Sequence, residues 1–463
     1  MIRNIPVFSK FWHSTRQTAK SLRSSRNFRG SAANAFYSIA EYIAQPIAML
    51  LAAPFLVHKL GLQQYGIWML VSTILGSIGI LSTGFGDATV KYVSTYRGQN
   101  NQAGVERTIR ATLTINTFLG GLFGLIVWVA APYSVYHIFK IEPEFYTSSI
   151  WAIRISAIIL VLRSVESVFV STLRAFECYG PPVKLNVFLR SIVVVSAVAI
   201  AATGRGVVAI MVATLGWSAL IVVFQGIAAR RVSGALNPLP TLRRDALAEV
   251  FAFGCFSWLQ ALAGVAFTYA DRFLVAAMLG TAQVAIYVLC VQVTQPIHGL
   301  ASAAFSFVFP HISSRHEAGE TYGPHRVFRF ALLSNVGFCL ALAAPVASFS
   351  GPLLTWWLGA DFVLSGQNVL IILAMAYMIL GVNVVPYYAL LAFGSVRFVS
   401  ITNIAGGVLS LLAAAILIPR LGLIGAAIGR LLYGPLIAIN FWKLKSTFSG
   451  TLLTKEEAVP TWS

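Results

Sequence analysis

Charged side chains are scarce in this chain, at 10% of its residues, and only 15 of them are acidic. Soluble globular chains carry about a quarter charged residues, so an ordinary water-soluble domain is excluded. Cysteine is nearly absent. Cys178, Cys255, Cys290 and Cys339 are far apart, which excludes a disulfide framework and a cysteine-built metal site. The first thirty residues contain no acid at all, only Arg3, Lys10, Arg16, Lys20, Arg23, Arg26 and Arg29. They also lack an apolar core ahead of a small-residue cleavage site, so no cleavable signal peptide is expected. No nucleic-acid-binding module follows them, so the net charge of +18 does not point to DNA or RNA. A basic block beside a membrane span reads instead as a topology signal and an attractor for anionic lipid headgroups.

What is present is apolar: 57% of residues are hydrophobic and the mean hydropathy is +0.78. A spanning helix needs about 20 such residues. The apolar runs predict twelve spans, over 31–57, 64–86, 111–131, 150–172, 184–203, 207–229, 249–278, 283–309, 330–350, 366–390, 398–418 and 422–442. Twenty-five of the 33 Lys and Arg residues fall on the side of the N-terminus. Cytoplasmic loops are enriched in these cations, which puts both termini in the cytoplasm of a multi-pass inner (plasma) membrane protein.

The stretch RRVSGALNPLPTLRRDALAEV, interrupted by Pro238 and Pro240, separates two sets of six spans. The sets resemble each other. HKLGLQQYGIWML (58–70) aligns with AMLGTAQVAIYVL (277–289), PEFYTS with ADFVLS, and GVVAIMVA with GLIGAAIG, all at nearly one offset. The predicted fold class is therefore all-α and polytopic, with about 12 transmembrane helices in two pseudo-symmetric six-helix bundles. Its segments are a basic N-terminal region (1–30), a first bundle (31–230), a linker (231–247), a second bundle (248–443) and a cytoplasmic tail (444–463). In transporters such a repeat places the substrate path between the halves.

Four spans carry polar residues at helical spacing: Asn34, Ser38, Glu41 and Gln45 on the first; Ser72, Gly76, Gly79 and Thr83 on the second; Ser257, Gln260, Gly264, Thr268 and Asp271 on the seventh; Gln292, Gln295, Gly299, Ser302 and Ser306 on the eighth. Small and polar residues also line ordinary helix contacts in membranes, and the second stripe is read that way. The acids of the first and seventh favour a water-filled cavity. Pro46 and Pro296, each following a glutamine of its stripe, mark candidate kinks.

The fourth span, IWAIRISAIILVLRSVESVF from residue 150, holds three charges. Each costs about 2.5–3.5 kcal/mol at the centre of a bilayer on insertion scales. Arg154 lies near the end and can snorkel to the interface. Arg163 lies near the centre, with Glu166 three residues on as its expected partner. Two readings stand for this pair: a structural ion pair, or a cationic step on a path for an anionic group. Asp271 with Arg272 forms a second expected pair. Arg430, among small residues, reads as structural.

The stretch PFLVHKLGLQQYGIWMLVSTILGSIGILSTGFGDATVKYVSTYRGQN (54–100), together with DRFLVAAMLGTAQVAIYVLCVQV (271–293) and ITNIAGGVLSLLAAAILIPRLGLIGAAIG (401–429), resembles the bacterial polysaccharide flippases of the multidrug/oligosaccharidyl-lipid/polysaccharide exporter superfamily. The resemblance spans roughly 31–445. It implies a V-shaped pair of bundles that moves polyprenyl-pyrophosphate-linked oligosaccharide across the inner membrane by alternating access. Such units serve O-antigen, capsule or exopolysaccharide synthesis. The implied partners are the lipid-linked glycan, membrane lipids and polysaccharide polymerase machinery, with no cofactor, no metal and no nucleic acid. Lys91, Arg163 and Arg272 are the cavity cations it implies; the family often has an acid where this chain has Thr83, and here the acid comes later, as Asp87. The candidate substrate-binding set is Arg163, Glu166, Arg272, Asp271, Lys91, Glu41, Gln45, Gln292 and Gln295. Two rival readings remain. A multidrug antiporter would use Glu41, Glu166 and Asp271 for cations. A glycan polymerase or ligase would need catalytic groups in an outward loop, and the longest, about 132–149, shows no such constellation.

Overall fold

The computed structural model describes residues 28–81, 84–178, 180–234, 241, 243–317, 322–435 and 438–446. It is helical throughout the described residues. The elements are α1 (Phe28–Leu81), α2 (Gly84–Gly98), α3 (Gln102–Tyr133), α4 (Tyr146–Ala175), α5 (Gly180–Ala202), α6 (Val207–Ser233), α7 (Arg244–Met278), α8 (Thr281–Ala304), α9 (Val308–Glu317), α10 (Tyr322–Ser348), α11 (Ser350–Leu358), α12 (Asp361–Val382), α13 (Val384–Ala392), α14 (Val396–Leu421) and α15 (Leu423–Leu431). A further helical stretch covers 438–446. Among the described residues, seven stretches are long and apolar enough to cross a bilayer. Backbone polar groups in hydrocarbon must be satisfied internally, which is why apolar runs of this kind fold as helices.

The first two expected spans are continuous in α1, broken at Gly61, whose φ of 75° and ψ of 162° lie in a region essentially reserved for glycine. The same left-handed φ recurs at Gly280 (φ 97°), and the two glycines are equivalent in the repeat. Two further pairs obey nearly the same offset: Glu177 (φ 57°) with Gly394 (φ 73°), and Gly204 (φ 75°) with Gly422 (φ 58°). The offsets are 219, 217 and 218 residues, so the backbone breaks repeat where the sequence similarity is faint.

Packing divides the chain into two compact units, Met1–Tyr269 and Ala270–Ser463, the division falling within α7. In the first unit α4 packs against α3 and α6, while α5 packs against α1. Gly120 and Gly124, one turn apart on α3, let α4 come close: an added Cβ would lie 2.5 Å from Ser164 Oγ and 3.0 Å from the Ala157 carbonyl. One turn earlier, buried Asn116 donates from Nδ2 to Ser167 Oγ (3.0 Å). The opposite face of α3 presents Phe118, Leu122, Leu125, Val129 and Tyr133 outward, an apolar stripe suited to lipid. Arg154 sits beside the rings of Trp128 (5.3 Å) and Trp151 (5.7 Å), aromatic company typical of a membrane interface.

In the second unit α12 packs against α8, α10 and α15. The α14–α15 hairpin repeats the two-glycine device. A Cβ on Gly425 would meet the Leu417 backbone at 2.5 Å, and one on Gly429 would meet Ala414 at 2.6 Å. That closeness sets the position of the next residue, Arg430.

Candidate functional site

Among the described residues each unit contains one buried charge cluster. In the first unit it forms on α4 and α5. Glu166 is buried and pairs with Arg190 of α5, Nη2 to Oε1 at 3.3 Å. This corrects the expectation that Arg163 is its partner. Residues three apart on a helix project on adjacent faces, and here the carboxylate turns across to the neighbouring helix instead. Because α5 starts at Gly180, Arg190 lies about 15 Å inside the helix.

Arg163 makes no hydrogen bond and no ion pair among the described residues. It is within electrostatic range of Arg190, Glu166 and Tyr269. Tyr269, on the α7 segment of this unit, closes over α1 at Gly76, where an added Cβ would lie 2.7 Å from its hydroxyl. The stripe of the second span therefore uses Gly76 as a close-packing position. Among the described residues two guanidinium groups stand here against one carboxylate, a local excess of positive charge on α4 and α5.

In the second unit Asp271 is buried and bonds to Arg430, whose Nη1 reaches Oδ2 at 2.7 Å. Tyr287 donates its hydroxyl to the same oxygen at 2.8 Å, and the Arg272 backbone N–H donates to Oδ1, also at 2.8 Å. The guanidinium lies over the Tyr377 ring at 5.1 Å. The reading of Arg430 as structural fits this geometry, and Arg430 joins Asp271 from a different helix than the expected Arg272. Every carboxylate oxygen of Asp271 already accepts a donor, so this acid is built to hold an internal cation rather than a mobile one.

Of the remaining candidates, Gln292 and Gln295 lie partly buried on α8, and Arg272 is partly buried on α7. Lys91 is exposed on α2, its ammonium 5.1 Å from the Tyr92 ring. Glu41 and Gln45 fall on α1, where their side chains lie outside the described residues, as do those of Ser257, Gln260 and Gly264 on α7. The sequence reasoning missed the roles of Arg190, Tyr269, Tyr287 and Tyr377. Arg190 had a signal, a lone cation in the run VFLRSIVVVS. Among the described residues no cluster of His, Cys, Asp and Glu could hold a metal ion.

A third polar cluster lies beyond the apolar runs of the first unit. Tyr96 of α2 donates to Glu249 of α7 at 2.7 Å, and Arg107 of α3 approaches Glu249 (3.5 Å) and Asp245 (3.6 Å). Beneath it, Phe85, Ala88, Ala111, Ala246 and Val250 form a small core, with Phe85 stacked on Phe251. The bond to Glu249 raises the phenol of Tyr96 above its usual range, since ionising it would set two anions together.

A helical, multi-pass membrane chain with internally repeated halves and buried, helix-borne charges has the architecture of membrane transporters. Residues 31–316 match the polysaccharide biosynthesis protein family, and the chain belongs to it. A Shigella flexneri protein named "Putative O-antigen transporter" is 22% identical over 399 residues, covering 85% of this chain and 93% of that one. Two solved structures share the fold. An inward-facing multidrug resistance MATE family transporter of the MOP superfamily has a TM-score of 0.75 at 18% identity, covering 88% of this chain and 96% of that one. The lipid II flippase MurJ, in an inward closed conformation, has a TM-score of 0.70 at 12% identity, covering 90% of each.

Proposed function

We propose that this transporter is an inner-membrane flippase for polyprenyl-pyrophosphate-linked oligosaccharides, working by alternating access with both termini in the cytoplasm. The observation that carries the reading is Arg163: a cation in the middle of a membrane helix, without ion pair or hydrogen bond among the described residues, beside a second arginine that already has its acid. A cation left in that condition is costly to hold. A pyrophosphate, carrying more than one negative charge, relieves that cost by accepting charge-assisted hydrogen bonds from the guanidinium fork. The name of the Shigella flexneri relative supports a glycan destined for the surface, and the MurJ likeness supports a fold able to move a lipid-linked saccharide. Asp271 already holds Arg430 and Tyr287, which argues against its use by a cation antiporter, which needs an acid open to a mobile cation.

The test uses Arg163→Ala and Arg163→Lys, with surface glycan and membrane-protein abundance measured together. Because Glu166 pairs with Arg190, removing Arg163 strands no acid, and abundance stays near that of the wild type. Export is lost in the alanine variant and partly kept in the lysine variant, which retains charge but not the fork. Full export by Arg163→Ala at normal abundance overturns the assignment.

A further inference from the structure

The buried ion pairs Arg430–Asp271 and Arg190–Glu166 are built differently, and the difference bears on how a bound anion is released. Arg430–Asp271 is short, at 2.7 Å, reinforced by Tyr287 and sealed, with side-chain exposures of 14% and 6%. Arg190–Glu166 is longer, at 3.3 Å, and the arginine side is 33% exposed. Charge-assisted N–H···O bonds settle at about 2.7–2.9 Å when nothing strains them. The first pair is scaffold. The second is loose, reachable, and one turn from an arginine that has no acid of its own.

We propose that Glu166 is a resident stand-in for the substrate's phosphate: in the empty transporter it occupies Arg190, and an incoming pyrophosphate that reaches Arg163 and Arg190 displaces it. This rests on the pyrophosphate reading of Arg163 given above. A carboxylate and a phosphate present the same acceptor oxygens to a guanidinium, so the exchange keeps Arg190 paired at every stage. A group with more than one negative charge spans two arginines where a monoanionic carboxylate serves one. It therefore prevails when present. When it leaves, Glu166 returns, and the competition lowers the affinity of a site that must also let go. Two arginines without a competing acid would hold the headgroup tightly and turn over slowly, the failure expected whenever a ground state is bound too well.

The experiment uses the full-length protein in lipid nanodiscs with farnesyl pyrophosphate as the probe, inorganic pyrophosphate as competitor, and only the monodisperse fraction of each variant. Glu166→Gln is expected to bind the probe tenfold or more tighter than wild type while exporting glycan more slowly. Glu166→Asp, which keeps the charge but shortens its reach, should tighten binding by a smaller factor. Adding Arg190→Ala to Glu166→Gln should abolish the gain. Unchanged or weaker binding by both single variants overturns the stand-in. Arg163→Ala separates the two claims. If it binds the probe like wild type, the pyrophosphate reading itself fails. If it binds weakly while Glu166→Gln shows no gain, only the stand-in fails.

Discussion

Removing Arg430 should unfold the second unit more readily than any change to an exposed cation, and the structure gives the size. Asp271 Oδ2 holds two donors, Arg430 at 2.7 Å and Tyr287 at 2.8 Å, in a side chain only 6% exposed. Arg430→Met leaves a buried carboxylate with one neutral donor on that oxygen and no water able to replace the other. Breaking a buried pair in this way costs about 3–5 kcal/mol. For a unit the size of 270–463 that corresponds to a fall of roughly 10 °C in the unfolding midpoint. Asp271→Asn should be comparably harmful, because it leaves Arg430 buried over Tyr377 without its counter-charge. The double variant keeps an acceptor for Tyr287 and removes both charges, so it should recover at least half of the loss. Thermal unfolding of detergent-purified protein, followed by tryptophan fluorescence for all four combinations, closes the cycle. A wild-type midpoint in Arg430→Met, or a double variant below the worse single, would refute the claim that this pair is scaffold.

Two smaller tests follow from backbone and rim. Gly61→Ala and Gly280→Ala place a Cβ in a conformation essentially reserved for glycine, so each should cost about 1–3 kcal/mol, and Gly121→Ala, which meets open space, serves as the control in the same unfolding assay. The raised Tyr96 phenol gives a pH prediction. A group protonated more firmly when folded contributes fully below its unfolded pKa of about 10 and loses that contribution as pH rises through the folded value. Hydrogen exchange in 244–254 should therefore be flat from pH 6 to 9, after correction for intrinsic exchange, and Tyr96→Phe should raise it at every pH; no change in that variant would dismiss the docking role.

The helices were legible because the bilayer allows few alternatives: an apolar run with its breaks at Gly61, Gly280 and Gly422 leaves little choice of element. The positions of the buried charges were legible for the same reason, since Arg163, Glu166, Asp271 and Arg430 interrupt such runs. Their partners were not. Spacing along one helix offers Glu166 to Arg163 and Asp271 to Arg272, and it could not foresee bonds to Arg190, 24 residues on, and to Arg430, 159 residues on. Which cation a buried acid meets depends on how closely neighbouring helices approach, and that is set by glycines such as Gly120, Gly124, Gly425 and Gly429, whose contacts no single-helix pattern contains.

The paired backbone breaks also record how the two halves diverged. From Gly61 to Gly204 is 143 residues, and from Gly280 to Gly422 is 142, though few side chains between them still match. Soluble domains drift in length wherever a loop tolerates an extra turn. Here each helix must reach from one face of the hydrocarbon to the other, and a residue added or lost shifts a polar end by about 1.5 Å along the membrane normal. The bilayer has acted as a ruler against which every insertion was measured. Side chains were free to change, down to a glutamate standing at Glu177 where the other half keeps Gly394, but the spacing of the joints moved by no more than two residues.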